Sequence, residues 1–134
     1  MIRNLKLNTM LNLSHKNLEV YKISLKLIKE VYAITKGFPK EELYVLVSQI
    51  RRAAISVCSN IAEGASRISR AEKKRFYEIS RSSLVEMDTQ FEISSILDIL
   101  FSKFGDELHN LVFDIISKTF HTPAERRAIK TMYG

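Results

Sequence analysis

The stretch Leu18-Glu19-Val20-Tyr21-Lys22-Ile23-Ser24-Leu25-Lys26-Leu27-Ile28-Lys29-Glu30-Val31-Tyr32-Ala33-Ile34-Thr35 decides the fold. Leu18, Tyr21, Leu25, Ile28 and Tyr32 recur at steps of three and four, the spacing of a helix-bundle seam. A second row runs beside it, made of Val20, Ile23, Leu27, Val31 and Ile34. Together the rows cover about 220° of the helix circumference, where one core asks for a stripe only somewhat over ~100° wide. Lys22, Lys26, Lys29, Glu19 and Glu30 share the remaining arc. The surplus predicts a second buried contact, most simply with another copy of the chain. The row from Val20 to Ile34 is assigned to that contact.

Working outward, Gly37, Gly64 and Gly105 divide the chain into four periodic segments, near 15–36, 40–63, 70–103 and 106–121. Glycine suits the position just past a helix because left-handed backbone angles cost it little. Ser69-Arg70-Ala71-Glu72 fits a capping box opening the third segment, and Thr122-Pro123-Ala124-Glu125 fits another near the end. The second segment carries a core stripe of Leu43, Leu46, Val47, Ile50, Ala54, Val57 and Ile61. Its other side is small and nearly uncharged, with Ser48, Ser56, Ser59 and Ala62. Small residues let helices approach closely at little desolvation cost, so Ser56 and Ser59 join the expected oligomer interface. The competing reading is an ordinary polar face. Phe76, Tyr77, Leu84, Met87, Phe91, Leu97 and Phe101 supply the third segment, and Leu108, Leu111, Val112, Ile115 and Ile116 the fourth. Segments of this length with short connections pack as antiparallel neighbours. The expected fold is all-α, an antiparallel up-down four-helix bundle over 15–121. A loose segment precedes it over 1–14, and a tail able to hold one short helical turn follows over 122–134.

Composition agrees. The 134 residues are 46% hydrophobic and 27% charged, a length that fits one domain and an apolar fraction that excludes disorder. Four Gly and two Pro are too few for the turns of a β-sandwich. One cysteine, Cys58, cannot form an internal disulfide, which suits a reducing compartment. No run approaches the ~18 apolar residues of a membrane span, and the opening residues lack the apolar block of a secretion signal. A cytoplasmic protein is expected.

The net charge of +6 is segregated. Residues 1–75 hold 15 basic and 6 acidic groups, residues 76–114 hold 2 and 8, and residues 115–134 hold 4 and 1. A basic balance of this kind is weak support for a polyanionic partner.

Catalytic chemistry is sparse. His15, His109 and His121 lie at no spacing that puts two on one helix face. Asp106-Glu107-Leu108-His109 is a single carboxylate-x-x-His, whereas di-metal bundles need two such pairs. There is no glycine-rich phosphate loop, and Gly64-Ala65-Ser66-Arg67-Ile68 lacks the last glycine of a nucleophile elbow. Cys58 falls at the edge of the core stripe and reads as a small buried hydrophobe. No enzyme activity, metal, cofactor or small-molecule substrate is expected.

The basic residues form two sets. Arg67, Arg70, Lys73, Lys74 and Arg75 crowd the start of the third helix, where the helix dipole disfavours cations. Breaking that local rule points to phosphate binding. The competing reading is that Glu63 and the carbonyl end of the second helix accommodate them. Lys22, Lys26 and Lys29 form a stripe that serves either solubility or unspecific phosphate contact. No aromatic residue interleaves with either set to stack single-stranded bases. Arg51 flanks the second core stripe, and folding the third helix back about residues 64–69 brings it within about one turn of Glu86. An Arg51–Glu86 pair is expected as a device of packing specificity.

Several strings are familiar together. They are Phe38-Pro39-Lys40-Glu41-Glu42-Leu43-Tyr44, Gln49-Ile50-Arg51-Arg52-Ala53-Ala54-Ile55-Ser56-Val57, Ser59-Asn60-Ile61-Ala62-Glu63-Gly64 and Ser83-Leu84-Val85-Glu86, with Leu18-Glu19-Val20-Tyr21 at the start. They resemble the four helix bundle protein family over roughly residues 17–100. Some of its members are encoded inside intervening sequences of large-subunit ribosomal RNA genes and carry a ribosomal-protein label. The resemblance implies a ring-like homo-oligomer, a homopentamer in known cases. In architecture it is also similar to the basic accessory bundles of diversity-generating retroelements, which bind nucleic acid and a reverse transcriptase. Ser82 stands where many members have Gly, and Phe104-Gly105-Asp106 onward departs from the usual ending. The expected function is a non-enzymatic oligomer that binds RNA, ribosomal RNA foremost, through its basic residues. The alternative is a protein-interaction scaffold or accessory protein whose charge is incidental.

Overall fold

The apolar rows around Leu27 and the uncharged face of the second segment form helices as their spacing requires. The computed structural model of the chain describes residues 18–99 and 106–119. Four helices result: α1 (Glu19–Thr35), α2 (Ser48–Ser66), α3 (Arg70–Ile96) and α4 (Asp106–Thr119), with no strand among the described residues. The expected loose ends, Gly105 and the turn at Thr122 lie outside the described residues.

Between α1 and α2 the chain closes α1 with Gly37 and Phe38 N–H donating to the carbonyls of Ile34 and Thr35. It then runs through a 3₁₀ turn (Lys40–Glu42) and a π-helical turn (Leu43–Val47) straight into α2. The α2 helix therefore needs no side-chain cap at its start. Ser69 caps α3 as expected, its Oγ accepting from the Glu72 N–H at 3.1 Å, while the Glu72 carboxylate turns to Arg75.

Paired contacts fix the directions. Ser80 Oγ donates to the Val57 carbonyl at 2.8 Å, Ser56 meets Ser83, and Lys73 reaches Ala65, the register of an antiparallel α2–α3 hairpin. Thr35 beside Arg51 and Ser24 beside Cys58 make α1 and α2 antiparallel in turn. The α2–α3 contact is the most extensive, and α4 packs chiefly on α1 and less on α3. Leu27, Ile50, Ile61, Leu84, Met87, Phe91 and Ile115 are wholly enclosed between the helices. Each such aliphatic or aromatic side chain contributes about 1.5–3 kcal/mol by leaving water.

Small polar residues make the seams tight. Asn60 Nδ2 donates to the Ser56 carbonyl and hydroxyl, and Ser56 meets Ser83 at 2.9 Å. The Ser83 hydroxyl spends its hydrogen on the Ile79 carbonyl, so Ser56 is the donor between the two serines. Ser24, Thr35, Ser80 and Ser94 are buried with their hydroxyls bonded to backbone carbonyls.

Three expectations change. Neither Gly37 nor Gly64 has a positive φ. Helix α2 continues past Gly64 to Ser66, and the glycine is needed for close approach: a Cβ there would stand 2.8 Å from the Tyr77 ring. Helix α3 stops at Ile96, well before Gly105, because Asp98 adopts a left-handed φ of 55°. The Ile99 N–H bonds the Ser94 carbonyl and the Asp98 N–H that of Ser95, a Schellman closure with Ile99 tucked into the core.

The third change concerns α1. Val20, Ile23, Leu27 and Val31 are buried in the chain's own core, with Ile34 packed against it. They are not free to meet another copy. Ser24 and Thr35 flank this row and enter the core because their hydroxyls bond their own helix, which draws the buried arc to that side. Leu18 and Leu25, from the row expected inside, are the more exposed. Ser56 is likewise occupied in the α2–α3 seam, whereas Ser59 is exposed.

Candidate nucleic-acid interface

The α2–α3 turn gathers the first basic set at one end of the molecule. Arg67 closes α2, pairs with Glu63 at 3.1 Å and lies over the Phe76 ring, 4.6 Å from its centroid. Arg75 lies over the same ring at 5.4 Å and meets Glu72 at 3.4 Å. Lys73 Nζ donates to the Ala65 carbonyl at 3.0 Å, satisfying the carbonyl end of α2. Three of the five cations thus have local partners of the kind the competing reading invoked. Arg70 and Lys74 are exposed and make no hydrogen bond or ion pair among the described residues. These exposed ion pairs are worth little to stability, about 0–1 kcal/mol each. They leave the cluster able to exchange a carboxylate for a phosphate.

Lys22, Lys26 and Lys29 project from α1 on the side away from the core, exposed and without a partner among the described residues. The antiparallel register of α1 and α2 sets Lys22 toward the α2–α3 turn and Lys29 toward the other end. The lysine stripe therefore leads lengthwise away from the arginine cluster.

Arg51 and Glu86 do not meet. Arg51 Nε donates to Thr35 Oγ1 at 2.9 Å, and its guanidinium lies over the Tyr32 ring, 4.3 Å from the centroid. Glu86 is exposed on α3 and accepts from Gln90 Nε2. The two residues share a level of the hairpin, but Arg51 points to α1. A planar cation gains more from a buried hydroxyl and a ring face than from a carboxylate in water.

A second surface escaped the sequence reading. The side of α3 turned away from its buried row of Leu84, Met87 and Phe91 carries Val85 (54% exposed), Ile93 (41%) and Ile96 (73%). Glu86 and Glu92 flank it. The signal was present at Val85-x3-Thr89-x3-Ile93-x2-Ile96, a helical row opposite the core row.

Cys58 is buried, and desolvation pushes its thiol up from the ordinary value while a hydrogen bond with Ser24 works the other way. Among the described residues no group of three or more His, Cys, Asp or Glu side chains could hold a metal ion, and no helix is long and apolar enough to cross a membrane.

An all-α chain whose described residues form four helices, with exposed cations at the α2–α3 turn and along α1, is the class so defined. Residues 16–120 match the family model described as 23S rRNA-intervening sequence protein, and the chain belongs to that family. No curated protein matches it.

Proposed function

We propose that this chain is a non-enzymatic, cytoplasmic homo-oligomer, five-membered by family resemblance, that associates with RNA, ribosomal RNA foremost, through its basic residues. The observation that carries this reading is the set Lys22, Lys26, Lys29, Arg70 and Lys74, cations without partners among the described residues, in a chain of the 23S rRNA-intervening sequence family. Affinity comes mostly from released counterions, so log K falls with log salt at a slope of about −0.7 per phosphate contacted on single strands. Removing the charges of Arg67, Arg70, Lys73, Lys74 and Arg75 together flattens that slope. Arg70→Gln with Lys74→Gln alone, both at exposed positions, reduces the slope by about 1.4, the share of two phosphates. An unchanged slope removes the cluster from the site. The face of Val85, Ile93 and Ile96 favours a second reading, a scaffold for another protein. Its signature is salt-insensitive capture of a folded partner with no RNA retention at moderate salt.

A further inference from the structure

At the other end of α2 from the basic turn lies a cleft of about 450 Å³. Its walls include Tyr32, Leu43, Tyr44, Arg51, Arg52 and Ile55, and among the described residues no acidic one lines it. That volume sits at the small end of the ~300–1,000 Å³ range of ligand pockets. One wall is the π-helical turn, an irregularity that often marks functional positions.

Arg51 is held in advance of any ligand. The Thr35 hydroxyl, 2% exposed as a residue, donates its own hydrogen to the Val31 carbonyl at 2.8 Å, leaving a lone pair for Arg51 Nε. The Tyr32 ring fixes the guanidinium plane. Both Nη groups of Arg51 lack an acceptor among the described residues, and Arg52 beside it has no hydrogen bond or ion pair there. A fixed guanidinium edge with open donors matches two oxygens of one anion. Tyr44, 88% exposed, lines the same cleft and offers an aromatic face to solvent. Leu43 and Ile55, each over 40% exposed, extend the apolar wall.

A guanidinium edge for phosphate, a free ring for stacking and an open apolar wall are what proteins present to unpaired bases. A duplex keeps its bases stacked inside and cannot use the ring. We propose that this cleft holds one unpaired nucleotide of single-stranded RNA, its phosphate on Arg51 and Arg52 and its base against Tyr44. The proposal rests on the RNA reading above and adds to it a stacking subsite away from the basic turn.

The test uses the full chain with fluorescein-labelled decauridylate and decaadenylate, and a blunt RNA duplex of 20 base pairs for comparison, read by anisotropy across a salt series. Tyr44→Ala weakens single-strand binding about 5- to 150-fold and leaves the duplex unchanged. Arg52→Gln lowers the salt slope by about 0.7, the share of one phosphate. Thr35→Val releases Arg51 without removing its charge, so affinity for single strands falls while the slope stays. Ultraviolet crosslinking places the RNA adduct on the peptide containing Tyr44. Thermal melts of Tyr44→Ala and Arg52→Gln, both surface changes, verify that the fold survives. If the five-charge variant at the α2–α3 turn loses RNA while Tyr44→Ala and Arg52→Gln bind like the parent, the cleft proposal is overturned and the RNA reading stands. If the parent binds none of the probes, both fall. If the cleft variants change the mass in solution but not the RNA affinity, the cleft is a contact between copies and the proposal is overturned.

Discussion

Gly64 and Tyr77 approach so closely that the hairpin of α2 and α3 depends on a missing side chain. A Cβ at Gly64 would stand 2.8 and 2.9 Å from ring atoms of Tyr77 and 3.1 Å from the Phe76 Cβ. Contacts that short force the ring or the helix to move. Overpacking costs about 1–3 kcal/mol, and replacing helical glycine by alanine returns about 1 kcal/mol, so Gly64→Ala is expected to lose about 1 kcal/mol net. Urea unfolding measures it. In a Tyr77→Ala background the loss should shrink, because the ring is gone and only the 3.1 Å contact with the Phe76 Cβ remains.

Asp98 offers the opposite case. Its left-handed φ of 55° closes α3, and its carboxylate sits at the negative end of the helix dipole. Asp98→Gly should raise stability by about 0.5–1 kcal/mol, and Asp98→Ala should lower it, since alanine resists left-handed angles more strongly. A urea midpoint that moves the same way for both would contradict the Schellman closure.

Alkaline pH should destabilise the chain through its buried thiol and two half-buried phenols. Burial raises Cys58, Tyr21 and Tyr77, so the folded state favours their protonated forms. Such a group gives its full stabilisation below its unfolded pKa and loses it as pH climbs through the folded one. The urea midpoint should therefore hold steady toward the ordinary thiol value of 9.0 and decline above it. Cys58→Ala should shallow that decline. Iodoacetamide should label Cys58 at the rate of unfolding rather than at that of an open thiol.

The outer face of α3 serves either contact between copies or the partner of the scaffold reading, and one double variant separates the two. Val85→Glu with Ile96→Glu adds carboxylates to a face already bordered by Glu86 and Glu92, and both sites are exposed in the single chain. Light scattering across a dilution series should show the parent as an oligomer and the double variant as a monomer with an unchanged helical circular-dichroism spectrum. An oligomer that survives both changes takes this face out of the interface.

Much of this architecture was legible in the residues. The rows on α1, the Ser69 cap and the level of α2 against α3 all follow from spacing alone. The choice between the two α1 rows did not, because Ser24 and Thr35 read as polar in a string yet are buried once their hydroxyls bond their own helix. Arg51 was placed at the right height beside Glu86. Its direction depended on which of two neighbours offered the better seat, and that is a property of three helices at once. The early end of α3 rests on one aspartate in an angle more typical of glycine, for which the sequence carries no strong mark. Tyr32, Tyr44, Arg51 and Arg52 do not read as a group in the string because the first lies on α1, the second on the π-helical turn and the arginines on α2, so no single helix face contains them all.

The uneven placement of charge gives the molecule an electrical orientation. The α2–α3 turn and the solvent side of α1 carry exposed lysines and arginines, while the later part of α3 shows Glu86 and Glu92 to the solvent. A long-range field of this form turns a freely tumbling body before contact, so an approaching polyanion meets the cationic flank first and is pushed off the carboxylate side. Such pre-alignment would speed encounter at low ionic strength and fade as the Debye length shrinks to about 10 Å near 0.1 M salt.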